Sequence, residues 1–180
     1  QKMLTQVLYG VSYLAQKVNE AQVKHVKEAN RLLKLALEEV KAGRAQITHH
    51  PVELGEVNVV TYFDASLGKE DGYKSQAGMV TFVTDARALE KMTYANRVEH
   101  QSKKITRVVK SSLAAESASL SMAVDKHLFA RVLLQALMFG EERIGTDWRK
   151  DLTVGGYVVT DARSLYDHIT TTGSLPAERA

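Results

Sequence analysis

Three acidic residues in unlike local settings carry the chemistry this chain can offer: Asp64 in VVTYFDAS, Glu116 in KSSLAAES and Asp161 in YVVTDARS. Asp64 and Asp161 each close a run that predicts a buried strand, while Glu116 falls on the apolar stripe of a predicted helix. An unpaired carboxylate in such a place costs several kcal/mol, so something must share the charge. A divalent metal ion is the simplest partner, because hard oxygen ligands gathered from different elements make a site for Mg²⁺ and phosphate.

Each acid also has a plainer reading. Asp161 stands just ahead of a predicted helix, where an N-capping aspartate is common, and Asp64 before Ala-Ser-Leu-Gly reads equally as a turn starter. Glu116 discriminates. Leu113, Leu120 and Val124 lie three before, four after and eight after it, so its carboxylate shares the core-facing stripe. A capping box needs the acid three residues after the cap, and Ser112 plus three is Ala115. The helix dipole contributes only about 0.3 to 1 kcal/mol, too little to justify burying a charge. Taken jointly, the three acids point to metal coordination.

The elements that must position them follow from periodicity. Leu4, Leu8, Val11, Leu14 and Val18, then Val26, Ala29, Leu33, Ala36, Leu37 and Val40, predict an antiparallel helical hairpin over residues 1–45, closed by Lys41-Ala42-Gly43. Residues 46–56, with Pro51 and no sustained period, read as a linker. A domain over 57–180 opens with a strand from Val57 to Phe63, which Asp64 ends. LGKEDGYKS is turn chemistry, Gly78 to Val83 predicts a hairpin partner, and a third, weaker strand spans Met92 to Val98. Ser111 and Ser112 offer cap hydroxyls for a long helix with Leu120, Val124, Leu128 and Val132 on its core face, stopped by Gly140. After Gly155-Gly156, Tyr157 to Thr160 form a strand that delivers Asp161 to a last helix. The order βββαβα is an α/β layout, in which ligands gather at strand ends. If the first and last strands are neighbours, their aspartates meet.

Composition sets bounds. The 180 residues are 44% hydrophobic, enough for one compact domain with an appendage. No run approaches the roughly 20 apolar residues of a membrane span, and QKMLTQVLYG lacks the layout of a signal peptide. The Gln1 start reads as that of a fragment or processed piece. Without cysteine there is neither a disulfide framework nor a thiolate zinc site, which fits an intracellular setting. Twenty-four Lys and Arg against 21 Asp and Glu leave a formal charge of +3, so any case for a polyanionic partner rests on local clustering. The scattered histidines, including His127, present no ligand or catalytic spacing, and Gly155-Gly156 lacks the Gly-Lys-Ser/Thr ending of a phosphate loop.

FDAS, RVVKSSLAAES and VVTDARS resemble the RNase H domain of copia-type LTR retrotransposon polyproteins. SKKITRVVKSSLAAES is the most specific piece, a basic lead-in and a Ser-Ser pair before the Ala-Glu of the first long helix. The resemblance runs from about Val57 to Pro176, and VKHVKEANRLLKLALEE is loosely similar to the segment joining reverse transcriptase to RNase H. It implies an RNase H-like fold, a mixed five-stranded sheet flanked by helices and preceded by the hairpin. It implies hydrolysis of the RNA strand of an RNA–DNA hybrid with two Mg²⁺ ions, for which Mn²⁺ substitutes, next to a reverse transcriptase domain of the same polyprotein. Asp64, Glu116 and Asp161 fall on the family's metal-binding acids, Asp64 bridging both ions. The family's fourth carboxylate lies beyond a segment similar to SLPAERA, so the domain reads as C-terminally truncated.

Lys103, Lys104, Arg107 and Lys110 lead to the helix bearing Glu116 and fit a phosphate-backbone grip, although alone they read as a solvated loop. Ser112 reads either as a donor to a phosphate or 2′-hydroxyl, or as the helix cap. Two other readings stand beside the hybrid nuclease. One is an inactive retroelement fragment that only binds nucleic acid or a polymerase domain. The other is an integrase or resolvase core, allowed by the interval 116 − 64 = 52 but disfavoured by the Ser-Ser-Leu-Ala-Ala-Glu context.

Overall fold

A computed structural model describes residues 2–46, 48–53, 57–70, 74–140, 144 and 148–171. The chain divides into two compact units, residues 1–49 and 50–180. In the first, α1 (Lys2–Gln16) leads through a 3-10 turn at Val18–Glu20 to α2 (Val23–Lys41). Gly10 lets the two helices approach closely, since a Cβ there would stand 2.5 Å from Leu32 Cδ1. The Gln22 backbone N–H donates to His25 Nδ1 at 3.0 Å, and the His25 ring meets Tyr13 edge-on at 6.0 Å. Gly43, at φ 69°, ends α2: its N–H donates to Val40 O while that of Arg44 donates to Glu39 O.

The second unit is α/β. Its mixed four-stranded sheet comprises β1 (Val57–Glu70), β2 (Lys74–Asp85), β3 (Ala95–Lys104) and β4 (Gly155–Val159), in the order β3-β2-β1-β4. β1 runs antiparallel to β2, β2 antiparallel to β3, and β1 parallel to β4. The long α3 (Ser112–Phe139) joins β3 to β4, and α4 (Arg163–Thr170) follows. Phe63, Met79, Ala123 and Leu165 form one core cluster, and Ala77, Ile105 and Ala115 another. Among the described residues no helix is long and apolar enough to cross a membrane.

Several elements differ from the sequence expectations. β1 does not end at Asp64. The segment LGKE stays in the ladder, with Asp64 opposite Gly78 and Glu70 opposite Lys74, and a register shift between Ser66 and Glu70 absorbs Gly68 at φ 59°. Asp64 is therefore a mid-strand residue. The middle of the expected turn, residues 71–73, lies outside the described residues. β3 begins at Ala95 and runs to Lys104, because the ladder with β2 continues through Gln76 opposite Lys104. Lys103 and Lys104 are thus strand residues. Within the stretch read as linker, His50 is pinned to the start of β3: its N–H donates to Asn96 Oδ1 and its carbonyl accepts from Asn96 Nδ2, both at 2.7 Å. Its ring stacks on Tyr94 at 3.8 Å.

The buried face of α3 also departs from expectation. Ala115, Glu116, Ser119, Ala123, His127 and Gln135 are its fully buried positions, while Leu120, Val124, Leu128 and Val132 are only half-buried flanks. Small and polar side chains occupy the line of closest approach. Larger residues splay to either side, as dense packing against a sheet requires.

Candidate active site

Asp64, Glu116 and Asp161 come from β1, α3 and the residue pair after β4. Tyr62 opposite Val159 is the last rung of the parallel β1–β4 pair, so two steps further along each chain reach Asp64 and Asp161. The two aspartates thus stand on neighbouring strands, two residues past the last rung of the β1–β4 pair. α3 supplies the third. Ser111 caps that helix, its Oγ accepting from the Ala114 N–H at 3.1 Å, and Glu116 follows in the second turn. Ser112 is exposed at the first helical position, so the cap role considered for it belongs to Ser111.

Burial separates the three acids. Glu116 is only 9% exposed, whereas Asp64 and Asp161 are exposed, contrary to the expectation that all three are buried. Asp64 stays in the ladder with β2, but beyond Tyr62 β4 no longer pairs with β1, and the side chain is open to solvent. The Ala65 N–H donates to Asp64 Oδ1 at 2.7 Å and holds that carboxylate in place. Glu116 Oε2 is buried with no hydrogen-bond partner. Burial first, and then the adjacent Asp64 charge, push the Glu116 carboxyl above the ordinary glutamate range; the Ala65 amide opposes this and the Asp161 charge adds to it. All three acids therefore act within one electrostatic neighbourhood.

The plainer readings of the aspartates fail on geometry. Asp64 sits within a ladder, so it starts no turn. Asp161 does not cap α4: the residue at the cap is Ala162, without a side-chain bond, and the Ala162 N–H is taken up by Thr160 Oγ1 at 3.0 Å.

A buried carboxylate oxygen without a donor, beside a second carboxylate, fits a shared cation or proton. Asp64 and Glu116 are the pair to share it, with Asp161 on the same side. Among the described residues, however, no set of three His, Asp or Glu side chains is arranged to hold one ion.

The basic residues divide in two. Ala77 pairs with Lys103 and Gln76 with Lys104, next to the row Asp64–Gly78–Ser102, so both lysines lie at the acidic end of the sheet, two strands or roughly 10 Å away. Arg107 and Lys110 are exposed in the loop between β3 and α3, which buried Ile105 anchors by donating its N–H to Ser75 O at 2.7 Å.

Sequence reasoning missed a row of polar residues on α3. His127, only 4% exposed, hydrogen-bonds through Nδ1 to Thr61 Oγ1 at 3.1 Å, and Thr61 Oγ1 to Thr81 Oγ1 at 3.0 Å. A Cβ at Gly156 would come within 2.4 Å of His127 Nε2 and 2.6 Å of Arg131 Cδ. Glycine is what lets β4 lie against α3. The available signal was spacing: 127 is eleven residues after 116, on the same helical face.

Burial, and then the Arg131 charge, lower the His127 pKa to about 4 from an ordinary 6.5. Above about pH 6.5 the ring is neutral folded or unfolded. Below it the unfolded chain takes a proton that the folded chain refuses until about pH 4, so acidification across that window costs up to about 3 kcal/mol of stability. Chemical denaturation of His127→Gln is expected to show a shallower loss than the parent between pH 6.5 and 4. Parallel curves would contradict the assignment.

No known family model, curated protein or solved structure matches the chain.

Proposed function

We propose that residues 50–180 form a divalent-metal-dependent nuclease domain of RNase H-like fold, cleaving the RNA strand of RNA–DNA hybrids within a reverse transcriptase polyprotein of a copia-type element. One observation carries the reading: Glu116, buried with an unpartnered Oε2, lies against Asp64 and within the field of Asp161. The order β3-β2-β1-β4 with a single parallel pair supports the fold. The fifth strand and the role of the helical hairpin as a reverse transcriptase connection belong to the same proposal.

Asp64, Glu116 and Asp161 would hold two Mg²⁺ ions, with Mn²⁺ substituting. The chemistry such ions supply is activation of water and stabilisation of the leaving 3′-oxygen. The chain's own work is placement. β1 and β4 bring two carboxylates to one sheet end, α3 brings the third from above, and the Ala65 amide orients Asp64. Lys103, Lys104, Arg107 and Lys110 would grip the phosphate backbone without reading sequence, and exposed Ser112 is free of the cap role and available to a phosphate or 2′-hydroxyl. Lys104→Ala is therefore expected to weaken binding to hybrids of unrelated sequence alike and to lower the salt slope by about one unit. Salt titrations of two hybrids measure this, and an effect confined to one sequence would contradict it.

A second reading has an observation in its favour. No three side chains among the described residues are arranged for one ion, and on this reading the domain is an inactive fragment that binds nucleic acid or a polymerase domain. A labelled hybrid, with double-stranded RNA and DNA controls and with or without Mg²⁺, separates the readings. The expected result is a cut RNA strand in the hybrid alone and only with metal. A hybrid bound but never cut favours the inactive fragment, and cut duplex DNA points to an integrase-type core.

A further inference from the structure

Four residues of the polar row on α3 have directional partners. Ser119 Oγ donates to the Asp64 carbonyl at 3.0 Å, His127 bonds Thr61, and Arg131 Nε donates to Val154 O at 2.8 Å. Gln135 Nε2 donates to Asp151 O, and Gln135 Oε1 accepts from the Thr153 N–H, both at 2.7 Å. Apolar surfaces tolerate small axial slides of a helix, whereas hydrogen bonds of fixed length do not. The row thus sets α3 against β1 and against the turn entering β4.

One rung touches the acids. Ser119 is fully buried and stands three residues after Glu116, on the same face, with its hydroxyl bonded to the backbone of Asp64 itself. We propose that Ser119 is a positioning residue of the acidic site: its hydroxyl ties the helix that carries Glu116 to the strand residue that carries the opposing carboxylate, fixing the gap a cation must fill. The inference rests on the metal-site reading above. It adds a residue that itself contributes no ligand.

Two carboxylates held a set distance apart bind a cation more tightly than the same pair free to drift, since outer residues that orient metal ligands typically contribute about 10- to 100-fold in affinity. Ser119→Ala removes the hydroxyl and leaves a residue the helix accepts readily. Mn²⁺ binding by the full chain, followed by electron paramagnetic resonance, is expected to weaken about tenfold or more in Ser119→Ala, with the metal concentration for half-maximal hybrid cleavage rising in step. A packing role alone would lower the melting temperature and leave Mn²⁺ affinity unchanged, which would overturn the proposal. If Ser119→Ala does not unfold cooperatively, Ser119→Cys keeps the volume with a weaker donor, and the same loss of Mn²⁺ affinity is expected. The parent chain separates the two levels. Failure of the parent to bind Mn²⁺ overturns the site and the role of Ser119 together, whereas a parent and variant that bind equally tightly overturn Ser119 alone.

Discussion

Asp64→Asn is expected to reduce Mg²⁺-dependent cleavage of an RNA–DNA hybrid on the order of 10³-fold, the scale on which removal of one preorganised charge-stabilising group slows an enzyme. The substitution is nearly isosteric, and the ladder of β1 uses backbone groups alone, so the fold does not depend on the lost charge. The side-chain carbonyl of asparagine still accepts from the Ala65 N–H, as Asp64 Oδ1 does now. Asp64 is exposed, so exchange of its side chain disturbs no packing. Hybrid binding should survive or tighten, because one negative charge leaves the neighbourhood of a polyanion. Cleavage rate and dissociation constant measured on the same preparation test this. Undiminished cleavage would remove Asp64 from the chemistry, and loss of binding would mean that the residue holds substrate instead.

Glu116→Gln is expected to move activity and stability in opposite directions. The buried carboxyl is pushed up by desolvation and by Asp64, so at neutral pH its ionisation opposes folding. A carboxyl whose folded pKa is raised favours the folded state while protonated and loses that advantage as pH rises through its folded value. Glutamine mimics the protonated form at every pH. Without divalent metal at pH 7 the variant should be about 1 kcal/mol more stable than the parent, within the range that relief of a strained active site yields. The difference should vanish as pH falls below the ordinary glutamate range. Metal reverses the order, because a ligand bound only by the folded parent adds about 2.7 kcal/mol at a hundred times its dissociation constant. Cleavage should be lost throughout. Melting curves at pH 4 and 7, each with and without Mg²⁺, decide the matter, and a metal-free parent more stable than Glu116→Gln at pH 7 would contradict the account.

Much of the architecture was legible because apolar periodicity reports which surface an element buries. β1 and β4 announced themselves as β-branched runs, and the ends of α3 by Ser111 and by Gly140, whose φ is 85°. Glu116 was legible for a physical reason: it lay on a core-facing stripe and failed the one local motif that would have explained it. Continuation of β1 past Asp64 was not, since Leu67-Gly68-Lys69-Glu70 has turn composition and only cross-strand pairing with β2 keeps it extended. The start of β3 slipped for a similar reason, the partner of Ala95 being Thr84 on another strand. The inner face of α3 misled most. Leu120, Val124 and Leu128 define an apolar stripe, yet closest approach to the sheet selects the smaller Ser119 and Ala123, and His127 finds Thr61 only after folding. Exposure of Asp64 and Asp161 follows from their position past the last β1–β4 rung, which no pattern within one strand encodes.

Convergence of the three acids on a common metal site is tested most directly by replacing Mg²⁺ with Fe²⁺ and adding ascorbate and peroxide, so that hydroxyl radicals formed at bound metal cut the backbone around it. Scission clustered near residues 64, 116 and 161, suppressed by excess Mg²⁺ and absent from Asp64→Asn, is the predicted outcome. Cuts confined to one of these segments, or mapping elsewhere in the chain, would contradict it.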